Sequence, residues 1–291
     1  MMMCRSFAHK VLLSAVSLAL LCNATTMWGK SDDKDCEQIL NNMFNAIKQV
    51  KTLRFNLSAS ERIDTKYSQA TSMVKINTAP LKIYYKDLKK GIEVLWTQGQ
   101  ETDALVNPNG FPFINLRLDP YGKLMHRDQH QSINRLGFSY LGNIIYHNLI
   151  RYPDTYQKYV HYRCDTTWEG YPCYEVEVNF PDFHYSTYVV KDKGETVTSI
   201  SAKFYLDDYL VLSANDLSSY EDELKVGQVL KIPNGYSKYT LITTRKDNNL
   251  PVHIKVYDEK GLLEEYSFTH IQVNPSISDE EFSSKYADYH F

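Results

Sequence analysis

The chain has 291 residues, enough for about two domains at a typical ~150 residues each. With 43% apolar and 23% charged residues and a formal net charge of −3, it reads as globular and carries no dense basic tract. That argues against nucleic acid as a partner, because phosphate neutralisation needs a concentrated positive face. Tyrosine is unusually common, 23 against 12 phenylalanines, which suits strands and half-wet, sugar-facing grooves.

In chain order, Arg5, His9 and Lys10 precede the uncharged run Val11–Leu21. The run is too short to span a bilayer and has the length of a signal-peptide core, with cleavage expected after Ala24. Residues 1–24 are therefore expected to be a signal peptide. The alternative, lipid anchoring through Cys22, is disfavoured by the bulky Leu21 before it. No later segment approaches ~20 apolar residues, so the expected location is the periplasm or cell envelope. From Cys36 to Val50 the apolar residues Ile39, Leu40, Met43, Phe44, Ile47 and Val50 recur at helical spacing. Ser31-Asp32-Asp33 reads as the start signal for that helix. Period two follows at Leu53, Phe55 and Leu57 and again at Ile92, Val94 and Trp96. Further short strands at Leu81–Tyr85, Ala104–Val106 and Asn115–Leu118, with turns between them, predict a meandering antiparallel sheet. Ser132–Ile150 returns to helical spacing and Pro153 closes it.

Tyr162–Val178 reads as a hairpin, with Cys164 and Cys173 nearly symmetric about a Thr167–Trp168 turn. In an exported protein that placement predicts a Cys164–Cys173 disulfide, with two buried thiols as the alternative. Cys36 has no assigned role. A strand at Tyr188 and a Gly194 turn come next, then a helix bearing Val197, Ile200 and Phe204. Asp207-Asp208 caps a second helix that ends at Asn215-Asp216-Leu217, and a closing strand stops at Pro233. Beyond it, Val252, Ile254 and Val256 alternate, Glu259-Lys260-Gly261 turns, and Leu263–Phe268 runs back. Ser278-Asp279-Glu280-Glu281 has capping-box spacing. The order helix, strands, helix, strands is that of an α+β layer structure.

The run Tyr-x-Val…Gly-Glu-Thr-Val-x-x-Ile-Ser-x-x-Phe, then Asn-x-Leu, then Leu-x-x-Gly-Gln-x-Leu-x-Ile-Pro, resembles the lysin motif (LysM) over residues 188–234. One departure is visible: Lys191-Asp192-Lys193 gives three residues before Gly194 where the family usually has two. The resemblance implies a βααβ module that holds N-acetylglucosamine-containing glycans such as peptidoglycan in a shallow groove. Carried over, the groove residues are Gly194, Glu195, Thr196 and Val197, faced by Asn215, Asp216 and Leu217. A structural insert with a covered groove is the alternative. The surrounding segments, with Ala104-Leu-Val-Asn-Pro-Asn-Gly-Phe-Pro and Arg117-Leu-Asp-Pro-Tyr-Gly-Lys-Leu-Met, are similar to an uncharacterised exported family, number 1571 among domains of unknown function. That similarity implies the curved half-barrel of LolA-like lipoprotein carriers over residues 33–187 and 235–291, with helices on its concave side. Trp96, Phe111, Phe113, Leu116 and the Ile133–Leu149 helix could line an apolar pocket there. The same residues could equally make a filled core.

Catalytic candidates are few. His126-Arg-Asp-Gln-His130 would put two histidines on one helical face, but no third ligand accompanies them and the segment reads as a solvated turn. Gly137-Phe-Ser-Tyr-Leu141 lacks the second glycine of a nucleophile elbow. Arg117, Asp119, Arg127 and Asp128 suit an ion-pair network or a polar pocket rim, and Asp279-Glu280-Glu281 a solvated helix start. No nucleophile–base pair, metal set or cofactor motif stands out. The expectation is a non-enzymatic envelope protein that binds peptidoglycan, its half-barrel contacting a lipid, lipoprotein or protein. A lipid carrier with a purely structural LysM unit is the second reading.

Overall fold

The computed structural model describes residues 35–100, 102–151 and 156–291, so the expected leader, its cleavage site and Cys22 lie outside the described residues. Helix α1 (Cys36–Lys48) buries Ile39, Leu40, Met43 and Ile47, the stripe that the spacing predicts. The Asp35 carboxylate caps it by accepting the Gln38 N–H at 3.2 Å. A meander follows: β1 (Thr52–Ile63), β2 (Lys66–Thr78), β3 (Leu81–Asp87), β4 (Glu93–Thr97), β5 (Ala104–Asn107) and β6 (Leu116–Leu118). The predicted second helix is shorter than Ser132–Ile150. A single 3₁₀ turn at Ile133–Arg135 precedes α2 (Phe138–Ile150). Gly137 separates them at φ +90°, and a Cβ there would meet the Ile76 side chain at 2.7 Å. The chain turns at that point because only glycine fits.

After α2 come β7 (Val160–Trp168) and β8 (Tyr171–Asn179), then β9 (Tyr185–Val189), α3 (Val197–Phe204), α4 (Asp208–Ala214) and β10 (Val229–Pro233). β11 (Tyr239–Arg245), β12 (Pro251–Asp258) and β13 (Gly261–Val273) end the strands, and a 3₁₀ turn follows at Asp279–Phe282. Eleven strands form one sheet in the order β6-β5-β4-β3-β2-β1-β13-β12-β11-β8-β7, while β9 and β10 pair separately. β6 and β13 are six strand spacings apart, about 29 Å in a flat sheet, yet both line one cavity. The sheet is therefore curved. α1 and α2 pack on its concave side with Leu53, Phe55, Val74, Ile83, Ile242 and Ile254. This is the curved α+β half-barrel expected of the host.

A second core lies within 188–232, where Tyr188, Val190, Val197, Ile200, Val211, Leu230 and Ile232 pack together. The small unit is not detached from the larger one, because Tyr209 and Leu210 of α4 point into the main core instead.

The expected Cys164–Cys173 disulfide does not form. Glu169 and Gly170 take φ values of 48° and 81°, a two-residue turn with both centres left-handed. It pairs Trp168 with Tyr171 and Thr166 with Cys173, and Cys164 faces Glu175. The turn lies two residues later than the expected Thr167–Trp168, which puts Cys164 and Cys173 out of register. The thiols sit on a diagonal of ~7–8 Å, beyond the ~3.5–4.5 Å between Cβ atoms that a disulfide needs. Cys164 is exposed and Cys173 buried, each a separate thiol.

Because Leu210 is only 2% exposed within the main core, Leu210→Ala should destabilise the whole chain by about 2–5 kcal/mol. Thermal melts followed by near-UV circular dichroism should show one shifted transition. A separate early transition of the small unit alone would contradict this packing.

Candidate functional site

The inner face of β1 carries Leu53, Phe55 and Leu57, then Ala59 and Glu61, while that of β13 carries Phe268, Tyr266 and Glu264. Register pairs Leu57 with Phe268, Ala59 with Tyr266 and Glu61 with Glu264. Two carboxylates thus stand opposite one another on the buried face, where like charges repel strongly. His130, fully buried, descends between them. Its Nδ1 lies 2.9 Å from Glu264 Oε1 and its Nε2 2.9 Å from the Arg62 carbonyl. Both neighbours are acceptors, so both ring nitrogens donate and the ring is an imidazolium. Burial alone would push this ring down, but the Glu264 hydrogen bond and the charges of Asp207, Glu264 and Glu61 hold its pKa up at about 9. The His130 backbone N–H donates to Glu61 Oε2 at 3.0 Å, and Tyr266 donates to Glu61 Oε1 at 2.5 Å. Tyr236 donates to Glu264 Oε2 at 2.9 Å, Gln131 Nε2 donates to Glu264 Oε1 at 3.1 Å, and Tyr209 stacks on the imidazole at 4.1 Å.

α4 completes this network. Asp207 caps the helix by accepting the Leu210 N–H at 2.8 Å, as the sequence suggests. Its other oxygen meets no donor. Burial, then the Glu264 charge, push Asp207 well above the usual carboxylate range. That direction favours the protonated form of Asp207, whose side chain interacts with Glu264. For Glu264, burial is outweighed by the bonds from His130, Asp207 and Tyr236, which hold its pKa below the ordinary value. Beside it, Arg135 Nη2 and Asp208 Oδ2 make a buried ion pair at 2.8 Å, with the guanidinium 4.7 Å from the Tyr140 ring centre. Burial raises Asp208 to about 6 despite that partner.

Glu61, His130 and Glu264 bring their ligating atoms within 4.8 Å of one another, close enough for a metal ion. Their donor set is already closed: each of these carboxylate oxygens receives a protein N–H or O–H, and both imidazole nitrogens hold protons. The cluster is a proton-held hydrogen-bond network. In the turn expected to be solvated at His126–His130, Arg127 and Asp128 are exposed but both histidines are buried. His126, 5% exposed, packs edge-on against Tyr220. Burial, then the Arg135 charge, lower His126 to about 4. The end of the chain differs likewise. Glu281 is buried and holds Arg54 and Lys75, both at 2.7 Å, although the sequence suggests a solvated helix start.

The same network floors a cavity of about 550 Å³ between the curved sheet and the 124–144 segment. Leu57, Val94, Val106 and Phe268 line it from the sheet, and Ile133, Leu136, Leu141 and Ile144 from the opposite wall. Glu61, Gln131, Arg135, Tyr236 and Tyr266 form its polar end, and the exposed Leu124, Arg127 and Asp128 its rim. Of the lining proposed from the sequence, the Ile133–Leu149 segment does line it, through Ile133, Leu136, Leu141 and Ile144, whereas Trp96, Phe111, Phe113 and Leu116 do not. Trp96 packs half-buried against the core edge, and Leu116 is half-buried on β6. Phe111 and Phe113 are 87% and 82% exposed on the β5–β6 loop. The cavity wall lies along the meander's even alternation, at Val94, Val106 and Leu118, one or more pairings inward of those residues. Arg127 Nε lies 3.8 Å from Asp128, and both serve the rim.

In the small unit the seven groove positions divide. Glu195 is 9% exposed and accepts from the Tyr188 hydroxyl at 2.6 Å and the Lys191 N–H at 2.8 Å. Val197 is fully buried. Thr196 caps α3 by accepting the Ser199 N–H at 3.1 Å. Asn215 pins α4 to β10: its Nδ2 donates to the Val211 and Lys231 carbonyls, and its Oδ1 accepts the Lys231 N–H at 2.7 Å. Asp216 takes φ 53° as the left-handed residue after α4, and the Leu217 N–H returns to the Leu212 carbonyl at 3.1 Å, closing the helix end. Gly194 and Asp216 are exposed, with Thr196 and Leu217 half-buried, so the positions left to solvent are those that the small unit's own fold uses least.

The family described as "Protein of unknown function (DUF1571)" matches residues 50–194, and the LysM domain matches residues 188–233. The chain carries a DUF1571 segment and a LysM domain. The DUF1571 match takes in β1–β9 and stops before β11–β13, which complete the large sheet. No curated protein matches the chain in sequence. Among solved structures it is similar to the lipoprotein LppX of Mycobacterium tuberculosis, at 11% identity over 84% of this chain and 98% of that one, TM-score 0.43. It is also similar to LprF of Mycobacterium bovis, at 9% identity over 83% of this chain and 94% of that one, TM-score 0.41. The MucA/MucB complex of Pseudomonas aeruginosa gives 12% identity over 85% of this chain and 60% of that one, TM-score 0.38. The chain thus spans less than two thirds of the length of that last chain. No helix among the described residues is long and apolar enough to cross a membrane.

His130 binds its proton more tightly folded than unfolded, its pKa moving from 6.5 to about 9. Stability is therefore full below pH ~6.5 and falls as pH rises through ~9, by on the order of 3 kcal/mol. The raised Asp207 acts in the same direction. Melting temperature should drop between mildly acidic and alkaline buffer in the wild type and far less in His130→Gln. Equal slopes for the two would refute the imidazolium.

Proposed function

We propose that this is a non-enzymatic cell-envelope protein with two binding faces: a LysM groove for N-acetylglucosamine-containing glycan such as peptidoglycan, and a host cavity for the apolar chain of an amphiphile. The observation that carries the second face is the cavity itself. At about 550 Å³ it lies within the ~300–1,000 Å³ range of small-molecule sites. Apolar walls and a polar inner end match the two halves of an amphiphile. The LysM match and the exposure of Gly194 and Asp216 support the first face.

A second reading, a lipid or lipoprotein carrier whose LysM domain is structural, draws on a specific observation. Glu195, Val197 and Asn215 are committed to the domain's own fold, and α4 lends Tyr209 and Leu210 to the host core. Retention on purified peptidoglycan separates the two. The first reading expects wild-type protein in the pellet, released by soluble N-acetylglucosamine oligomers. Protein left in the supernatant would remove the glycan face and leave the carrier.

The cavity face has its own test. Ala70 lines the cavity from β2 and is half-buried, so Ala70→Trp should fill the space without crowding the core. Binding of a fluorescent acyl probe should fall at least roughly tenfold, a loss of about 1.4 kcal/mol, at an unchanged melting temperature. Equal binding by wild type and variant would place the probe elsewhere and overturn the cavity reading.

A further inference from the structure

Two side chains that line the inner end of the cavity each keep one buried polar atom that the fold leaves unpaired. Arg135, only 9% exposed, lines the cavity and gives Nη2 to Asp208, but its Nη1 meets no hydrogen-bond partner. Gln131 also lines it. Its Nε2 donates to the Tyr236 hydroxyl at 3.0 Å and to Glu264 at 3.1 Å, which fixes the amide orientation and leaves Oε1 without a donor. A buried polar atom left unpaired costs ~1–3 kcal/mol, and a charged one more. Among the described residues, the other unpaired buried polar atoms belong to side chains that do not line the cavity. One orphan is a donor and the other an acceptor. They sit at the two ends of the short segment that carries the 3₁₀ turn.

Charge narrows what they can hold. The ionisable groups lining the cavity are Glu61, Asp87 and Asp128 against Lys90, Arg127 and Arg135, which leaves no net field. Arg135 is already neutralised by Asp208. An anionic head would meet Asp208 and Glu61 together with Arg135, and a cationic head would meet Arg135 with no spare carboxylate. An uncharged head that both accepts and donates satisfies both orphans and adds no buried charge.

We propose that the cavity selects an amphiphile with an uncharged, hydroxyl-bearing ester head, its carbonyl accepting from Arg135 Nη1 and its hydroxyl donating to Gln131 Oε1. The chain then runs along Leu57, Val94, Val106, Leu141 and Ile144. This rests on the amphiphile reading of the cavity given above.

The test is competition for the acyl probe at neutral pH by monolauroylglycerol, laurate and dodecylammonium, each below its micellar concentration. Monolauroylglycerol should compete roughly tenfold more tightly than either charged ligand, the equivalent of about 1.4 kcal/mol. Gln131→Leu should reduce that advantage to roughly threefold. Arg135→Lys keeps a cation for Asp208 but has no second arm. It should reduce the advantage likewise, and it guards against a fold defect in the other variant. Equal competition by all three ligands, a preference for laurate or dodecylammonium, or an advantage untouched by both variants overturns the head-group inference and leaves the cavity reading standing. Failure of the probe to bind wild type overturns the cavity reading itself.

Discussion

Two glutamates face each other across adjacent strands inside the protein, and the rest of the molecule is arranged to make that tolerable. Glu61 and Glu264 are register partners on the buried side of β1 and β13. Like charges so placed would each shift toward the neutral form or open the sheet. Instead an imidazolium is lowered between them and a protonated aspartate is laid beside one of them. His130 comes from the segment after β6 and Asp207 from the start of α4, so three distant parts of the chain must meet before the pair is stable. That requirement fixes the 124–136 segment over the sheet, and a segment fixed there with the sheet curving beneath it leaves enclosed space.

The space stays open for a reason of the same kind. Closing it would need apolar side chains pressed against Glu61, Gln131, Arg135, Tyr236 and Tyr266, whose polar atoms would then lose either partners or room. The polar end props the cavity and the apolar walls give it something to hold. Gly137 contributes at the hinge, because its left-handed backbone and the nearness of Ile76 set where α2 departs and hence where Tyr140, Leu141 and Ile144 face.

Much of the fold was legible in the sequence, because alternation and helical spacing are local signals. Ile39, Leu40, Met43 and Ile47 mark α1, Leu53, Phe55 and Leu57 mark β1, and the spaced glycine, asparagine and proline positions mark the LysM domain. The site was less legible, yet one local sign was present. The inward parity of β1 runs Leu53, Phe55, Leu57, Ala59 and then Glu61, and that of β13 runs Phe268, Tyr266 and then Glu264. A charged residue on a buried-face position is a demand for a distant partner. Nothing local says that the partner is His130, which reads as a solvated turn by composition. The hairpin at Glu169-Gly170 shows the opposite limit. A shift of two residues in the turn changed the register and separated Cys164 from Cys173, although each strand was placed correctly. The helical side of the cavity was legible at Ile133–Leu149, but its sheet side was missed because the exposed aromatics Phe111 and Phe113 are conspicuous in sequence, whereas Ala70 is not.

α4 shows why the LysM domain and its host are better regarded as one mechanical body. At its start, Asp207 and Asp208 hold Glu264 and Arg135, and Tyr209 lies on His130. At its end, seven residues on, Asn215 pins β10 and Asp216 turns the chain in a left-handed conformation. A module on a flexible linker would sample many directions, with an effective concentration set by linker length. Here a helix of about 10 Å, at 1.5 Å per residue over its seven residues, joins the groove to the cavity's polar end by packed side chains. The orientation of the cavity's polar end is therefore tied to that of the LysM domain, as well as its distance. The buried carboxyl–imidazolium network makes that relation rigid, because displacing α4 would leave Glu264 facing Glu61 without the proton of Asp207.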